Sequence, residues 1–349
     1  MPSETSIELR SDNCAGVAPE ILAAIEAANT GTALAYGADA VTAQLTEVVR
    51  DVFQQSEAKV FPVLSGTAAN SLALSAMCPP WGSVLCHESA HIFVNEAGAT
   101  SMFGAGAVMR GLSGADYKLH AAQVQEAFDT TGWDDPHCSQ PSVLSVTCPT
   151  DFGTIYTPAE VSELGSLAAS RGLRLHLDGA RIANALVALG CTAPQLTTKA
   201  GVRALTLGAT KNGALSTDAI VSFDSDASEQ LMYRLKRAGQ VASKMRFQSV
   251  QLLAYLTDGL WLRLAQRAND AMRELAAGLG KLDVELLAEP QANMLFARVG
   301  QPVIERLLAH DLLFYEMGGG VLRFVTSFQT TDDDVQEALR RIERALNPG

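Results

Sequence analysis

Three short stretches place reactive side chains among small or apolar neighbours. In ALTLGATKNGALSTDAI (204–220), Lys211 follows an apolar run, with no acidic residue in the four positions before it. Desolvation disfavours an ammonium in such a setting, which leaves the amine more available as a nucleophile toward an aldehyde. The alternative is a lysine whose long stem carries its head to water. In LRLHLDGAR (173–181), Asp178 closes an apolar run and precedes a turn glycine, with Arg181 three residues on. The carboxylate could hold a protonated heterocyclic nitrogen and the guanidinium a ligand oxygen or carboxylate; equally, the two could close the turn as an ion pair. In VLSGTAAN (63–70), Gly66 lets backbone approach a ligand, Thr67 offers a hydroxyl, and a following helix would present free N–H groups to an anion. An ordinary strand-to-helix turn with a threonine cap is the alternative there.

Taken together, the three stretches describe one ligand. A phosphate site, a carboxylate for a pyridinium nitrogen and a Schiff-base lysine are what pyridoxal phosphate requires. Their order along the chain, and the 33 residues separating Asp178 from Lys211, suit a fold-type-I pyridoxal enzyme.

The surrounding pattern supplies strands and helices to hold these groups. Val41, Leu45, Val48, Val49, Val52 and Phe53 recur at helical spacing, with Asp39 as N-cap. KVFPVL (59–64) reads as a strand, 66–77 as a helix, SVLC (83–86) as a strand, 91–98 and 119–128 as helices, and PSVLSVT (141–147) as a strand. Thr157, Pro158 and Glu160 form a capping-box start to another helix, and 173–177, 204–207 and 219–223 read as strands. Apolar strands alternating with amphipathic helices predict an α/β domain with a mostly parallel sheet, covered on both faces and binding ligands at the strands' carboxyl ends. Beyond about residue 245, long helical stretches (248–280) precede short strands and two further helices. That pattern divides the chain into a large domain (1–247) and a small α+β C-terminal domain (248–349).

The bulk numbers narrow the classes. The 349 residues are 48% hydrophobic and 18% charged, enough to bury a full core. A net charge of −12 argues against a nucleic-acid or anionic-membrane partner, and no apolar run approaches membrane-spanning length. The opening MPSETSIELRSDN lacks a signal-peptide core, and the six scattered cysteines form neither a CxxC pair nor a zinc-like cluster, so no metal is expected and a cytoplasmic setting is.

The blocks LRSDNCAG, AYGADAVTAQL, SGTAANSLAL, AHIFVNEAGA, LHLDGARIANAL, GATKNG, KRAGQVASKMRF and RFVTSF, in this order, resemble the L-threonine aldolases of the aromatic amino-acid β-eliminating lyase/threonine aldolase group over nearly the whole chain. GATKNG and SKMRF point to the branch with low-specificity and phenylserine aldolases. The resemblance implies pyridoxal-phosphate-dependent retro-aldol cleavage of a β-hydroxy-α-amino acid to glycine and an aldehyde. It gives Lys211 the Schiff base, Asp178 the pyridine nitrogen, Gly66 and Thr67 the phosphate, and His91 a position stacked on the cofactor face. Arg323 with Ser11 would bind the substrate carboxylate, and Arg181 the cofactor oxygen or that same carboxylate. Tyr36, Lys244 and Arg246 would reach the site of a neighbouring subunit in a dimer or tetramer. Many threonine aldolases carry a histidine in the loop that here reads TCPTDFGTIY, where Asp151 stands instead. Two readings of the base follow: Asp151 replaces that contact, or His91 acts directly or through water. β-Elimination, transamination or racemisation on the same fold is the nearest alternative function, distinguished by products. A binding protein that has lost catalysis fits poorly with an intact Lys211, Asp178 and Arg323, and a dinucleotide-binding protein lacks the GxGxxG turn.

Overall fold

The computed structural model describes residues 6–347. Its main sheet has seven strands: β1 (Lys59–Val63), β2 (Gly82–His87), β3 (Val108–Leu112), β4 (Gln140–Thr147), β5 (Arg174–Gly179), β6 (Val202–Leu207) and β7 (Asp218–Ser222). They lie in the order β1-β7-β6-β5-β4-β2-β3, and only β7 runs antiparallel to its neighbours. The carboxyl ends of the other six strands therefore share one edge with the beginning of β7. There, Asp178 pairs in register with Thr147 on one side and Thr206 on the other, and Val63 with Asp218.

The layers follow from the apolar spacing. Helix Ala40–Phe53 buries Leu45, Val49 and Phe53 along one stripe and is capped as expected, the Asp39 side chain accepting from Thr42 N–H at 2.9 Å. Helix Gly66–Met77 is buried from Ala68 to its end, between the sheet and helix Ser225–Arg237, which its small residues permit. Strand β3, with the mixed sequence VMRGL, sits at the sheet edge and carries no apolar alternation that a sequence reading could use.

Two sequence expectations are corrected by local backbone. The 91–98 helix stops after one turn (His91–Val94), because Ala97 (φ 50°) and Gly98 (φ 75°) turn the chain before a second short helix, Ala99–Phe103. The 248–280 stretch is two helices, Arg246–Leu256 and Leu260–Lys281, parted where Asp258 (φ 51°) and Gly259 (φ 66°) enter the left-handed region.

A second, four-stranded antiparallel sheet follows, in the order Tyr315–Gly318, Val321–Val325, Met294–Arg298, Glu285–Leu286. Its core is built on Leu275, Ile304, Leu322, Phe324 and Ile342. The long helix Leu260–Lys281 joins the two cores: Leu260, Trp261 and Leu264 pack into the first, and Met272, Leu275 and Leu279 into the second. Strand Ile7–Glu8 pairs in parallel with Leu312–Leu313, which ties the beginning of the chain to the C-terminal part and carries residues 11–14 toward the strand-end edge of the main sheet.

Candidate active site

A pocket of about 260 Å³ opens at that edge, and Gly66, Thr67, His91, Asp151, Asp178, Arg181 and Lys211 all line it. They arrive from five strand ends and the loops beyond them, as an open α/β sheet dictates.

Lys211 sits in a single 3-10 turn, Thr210–Asn212, just past β6. The turn is clamped from both sides. Asp218 Oδ1 accepts from the N–H groups of Ala209 (2.8 Å) and Thr210 (3.0 Å), and Asn212 donates to Tyr255 Oη (2.9 Å) and the Trp261 carbonyl (2.8 Å). Two glycines make the turn geometrically feasible. A Cβ at Gly208 would lie 2.1 Å from the Ala180 carbonyl oxygen, and Gly213 has φ 108° with Ala18 and Leu264 within 3.0 Å of where its Cβ would be. The Lys211 amine is held below the usual lysine range by the nearby Arg181 charge and then by burial. The apolar run around Lys211 points to desolvation alone, and the Arg181 charge acts on it only through the fold.

Asp178 is buried at the end of β5. It does not pair with Arg181. Its Oδ1 accepts from Ala180 N–H (3.1 Å) and its Oδ2 from Asn70 Nδ2 (3.0 Å). Arg181 instead forms a bidentate ion pair with Asp12, Nε to Oδ2 at 2.6 Å and Nη2 to Oδ1 at 2.8 Å. Burial works against the charged Asp12, yet the guanidinium outweighs it and holds the carboxyl below its usual range.

At the start of helix Gly66–Met77 the cap is Ser65, not Thr67: the Ser65 side chain accepts from Ala68 N–H. The N–H groups of Gly66 and Thr67 have no protein acceptor among the described residues and lie at the pocket wall. A helix N-terminus of this kind carries partial positive charge and free donors.

His91 opens its short helix with its backbone N–H donating to Asp151 Oδ2 (2.9 Å), and its Nδ1 meets Glu96 Oε1 at 3.0 Å. The Glu96 hydrogen bond, opposed by burial, raises the imidazole above its usual pKa. Asp151 is raised by burial and by the charge of Asp178.

The remaining expected residues lie elsewhere. Ser11 caps the turn Asp12–Cys14, accepting from Asn13 N–H (3.2 Å), and lines a separate small cavity with Cys14 and Ser327. Arg323, on strand Val321–Val325, donates to the Arg10 carbonyl (3.3 Å) and stacks on Tyr315; its Nε is buried without a partner among the described residues. Burial and then the Arg181 charge depress its pKa, so it feels the pocket's charges from outside the lining. Tyr36, φ 60° and exposed, lies under Lys236 at 4.5 Å beside a more apolar cavity, and Arg246 donates to the carbonyls of Thr30 and Gly31. Lys244 is exposed.

Three pocket residues have no role in the sequence reading, Asn70, Glu96 and Asp218, and neither does Asp12, which reaches the site through Arg181. Glu96 carried a signal, an acidic residue inside the block AHIFVNEAGA; Asn70 and Asp218 were quoted within motifs but given no role.

The sequence profile of the family described as Beta-eliminating lyase matches residues 8–301. The chain belongs to that family. Within it, the chain is 38% identical over 347 residues to the low specificity L-threonine aldolase of Pseudomonas sp. (strain NCIMB 10558), covering 99% of each chain. It is 39% identical over 341 residues to the enzyme of the same name from Pseudomonas aeruginosa, covering 97% of this chain and 98% of that one. The solved threonine aldolase of Leishmania major shares the fold at a TM-score of 0.90 and 24% identity, over 97% of this chain and 99% of that one. The architecture of this family member is the fold-type-I arrangement expected from its sequence.

Proposed function

We propose that this chain is a pyridoxal-phosphate-dependent aldehyde lyase. It cleaves L-threonine or a related β-hydroxy-α-amino acid, such as L-allo-threonine or L-phenylserine, to glycine and an aldehyde. The observation that carries this is one pocket holding a lysine amine, a strand-end carboxylate and a free helix N-terminus, in a chain with end-to-end similarity to two low-specificity L-threonine aldolases.

The donor set fits the cofactor. The Lys211 amine, its pKa lowered, keeps a neutral fraction that can attack an aldehyde. Asp178 is a buried carboxylate placed to accept from a protonated ring nitrogen, and the free N–H groups of Gly66 and Thr67, with the Thr67 hydroxyl, suit phosphate oxygens. Thr147 Oγ1, beside Asp178 in register, is buried in the same pocket without a partner among the described residues. When bound, pyridoxal phosphate supplies the electron sink that allows a Cα–Cβ bond of an amino acid to break.

The protein's own part is to orient the substrate and move one proton. Arg181 uses its Nε and Nη2 edge on Asp12, which leaves Nη1 for a ligand oxygen. Arg323, with a buried unpartnered Nε, is the second cation available to a substrate carboxylate, with Ser11 nearby in sequence to Asp12. His91 Nε2 has no protein partner among the described residues, and the ring borders the pocket; it takes the β-hydroxyl proton. Asp151 holds the start of the His91 helix by its hydrogen bond.

Tyr36, Lys244 and Arg246 act, in this reading, at the pocket of a second copy of the chain. Support comes from exposed Leu34, Tyr36, Leu64 and Met232 on the surface around them. All six cysteines are free, which supports a reducing, cytoplasmic setting, and among the described residues no helix is long and apolar enough to cross a membrane.

The test is a product assay: protein with pyridoxal phosphate and each of the three amino acids in turn, with glycine and aldehyde quantified. Glycine is expected from at least one, and none from Lys211→Ala; an active Lys211→Ala protein would overturn the scheme. Mixing inactive Lys211→Ala and Arg246→Ala proteins should restore activity if sites are shared between subunits, and leave none if they are not.

A further inference from the structure

Glu96 has no part in the roles assigned above, yet it is a buried carboxylate lining the pocket. The left-handed turn at Ala97 and Gly98 faces it inward, and its side chain is fully buried. Oε1 accepts two hydrogen bonds, from Asn70 Nδ2 (2.8 Å) and from His91 Nδ1 (3.0 Å). Oε2 is buried with no donor among the described residues, and so is Asn70 Oδ1. The Asn70 nitrogen spends its other hydrogen on Asp178 Oδ2 (3.0 Å), so one amide bridges two buried carboxylates. Unpaired buried oxygens weaken a fold, and natural proteins keep such groups chiefly where they serve chemistry.

An ionised carboxylate can only accept, so Nδ1 of His91 must carry the hydrogen and Nε2 the lone pair. We propose that Glu96 is a positioning residue for His91, holding the imidazole with Nδ1 protonated and Nε2 free to receive a proton in the pocket, and that Asn70 fixes Glu96 for this task by tying it to Asp178. The inference rests on the reading of His91 as the base, but its structural content can be measured without turnover.

The three carboxylates around the ring, Glu96, Asp151 and Asp178, all act in one direction. His91 faces Glu96 through the direct hydrogen bond, Asp151 through its own backbone N–H, and Asp178 across the pocket; Asp151 in turn faces Arg181 and Lys211. Glu96 faces His91 and Asp178, and burial raises it. Removing its charge therefore lowers the imidazole's pKa, and removing its oxygen also frees the tautomer. Asn70 donates to Oε1, so a glutamine at position 96 would keep its amide oxygen, and not its nitrogen, toward His91 Nδ1.

The experiment is nitrogen NMR of the full-length protein labelled at histidine, with His91→Asn to assign the resonance. In the wild type, neutral His91 is expected as the Nδ1–H tautomer. In Glu96→Gln the tautomer stays and the ring titrates at lower pH. In Glu96→Ala the Nε2–H tautomer, the common one in water, becomes the major form. The acid limb of kcat/KM should move to lower pH in both variants, and kcat should fall by roughly 10- to 100-fold in Glu96→Ala with KM nearly unchanged. A wild-type Nε2–H tautomer, or a tautomer and titration unmoved by both substitutions, overturns the proposal. If Glu96→Ala fails to fold, the isosteric Glu96→Gln still decides the charge effect. A wild type that makes no glycine but shows these NMR changes would sink the aldolase reading and leave the Glu96–His91 arrangement standing.

Discussion

The polar cluster at the pocket mouth and the one inside the sheet beneath it use the same kind of residue under opposite electrostatics. His91 is part-exposed and hydrogen-bonded to a carboxylate, which raises its pKa. His176, two residues before Asp178 on β5, is fully buried between two hydroxyls, Ser145 Oγ at 2.9 Å from Nδ1 and Thr206 Oγ1 at 3.3 Å from Nε2. Burial pushes it down to about 4. A neutral imidazole has one donor and one acceptor, and two hydroxyls satisfy both without charge. The partner, not the residue, decides whether a histidine moves a proton or serves as a core spacer.

The largest expected effect breaks the comparison at the pocket. His91→Asn should lower kcat/KM by roughly 10²- to 10⁴-fold, the usual worth of a positioned general base, while thermal stability changes little. Steady-state kinetics beside a thermal melt measures both. Equal loss of stability and activity would mean that His91 is structural.

Next in size is the acid response of His176. Its folded pKa lies below the unfolded value, so between about pH 6.5 and 4 the unfolded chain binds the extra proton. Stability is complete above that window and falls through it, by on the order of 3 kcal/mol for a shift from 6.5 to about 4. His91 has the opposite sign: its contribution is complete at low pH and is lost as pH rises through its raised pKa. Urea unfolding between pH 4 and 7 should show the acid loss in the wild type and a shallower slope in His176→Gln.

The smallest effect tests the hydroxyl partners. Ser145→Ala leaves His176 Nδ1 without its partner and should cost about 1–3 kcal/mol of stability with kcat unchanged. A change in kcat with no change in stability would join the two clusters functionally and remove the distinction between them.

Much of this was legible in the chain. The strand-end positions of Asp178, Lys211 and Gly66 followed from apolar runs ending in turn residues, and the Thr157 capping box formed as its spacing required, with Glu160 reaching back to the Thr157 N–H at 2.7 Å. Such signals are local, because helix and strand periods act over a few residues. The edge strand β3 was missed for the same reason, since VMRGL holds its place by pairing with β2 and not by a period of its own. Sequence alone also left Arg181 open between a pairing with Asp178 and a ligand. The partner is Asp12, 169 residues away, delivered when strand Ile7–Glu8 pairs with Leu312–Leu313.

The sequence by itself therefore determined the alternating layers, the edge at which the pocket lies, and the lysine, carboxylate and helix start that meet there. Only the tertiary structure decided which charges offset one another: Arg181 with Asp12, Glu96 with His91, and Asn70 between Glu96 and Asp178. Coulomb and hydrogen-bond energies depend on distances of a few ångströms and on burial, and neither is encoded in separation along the chain.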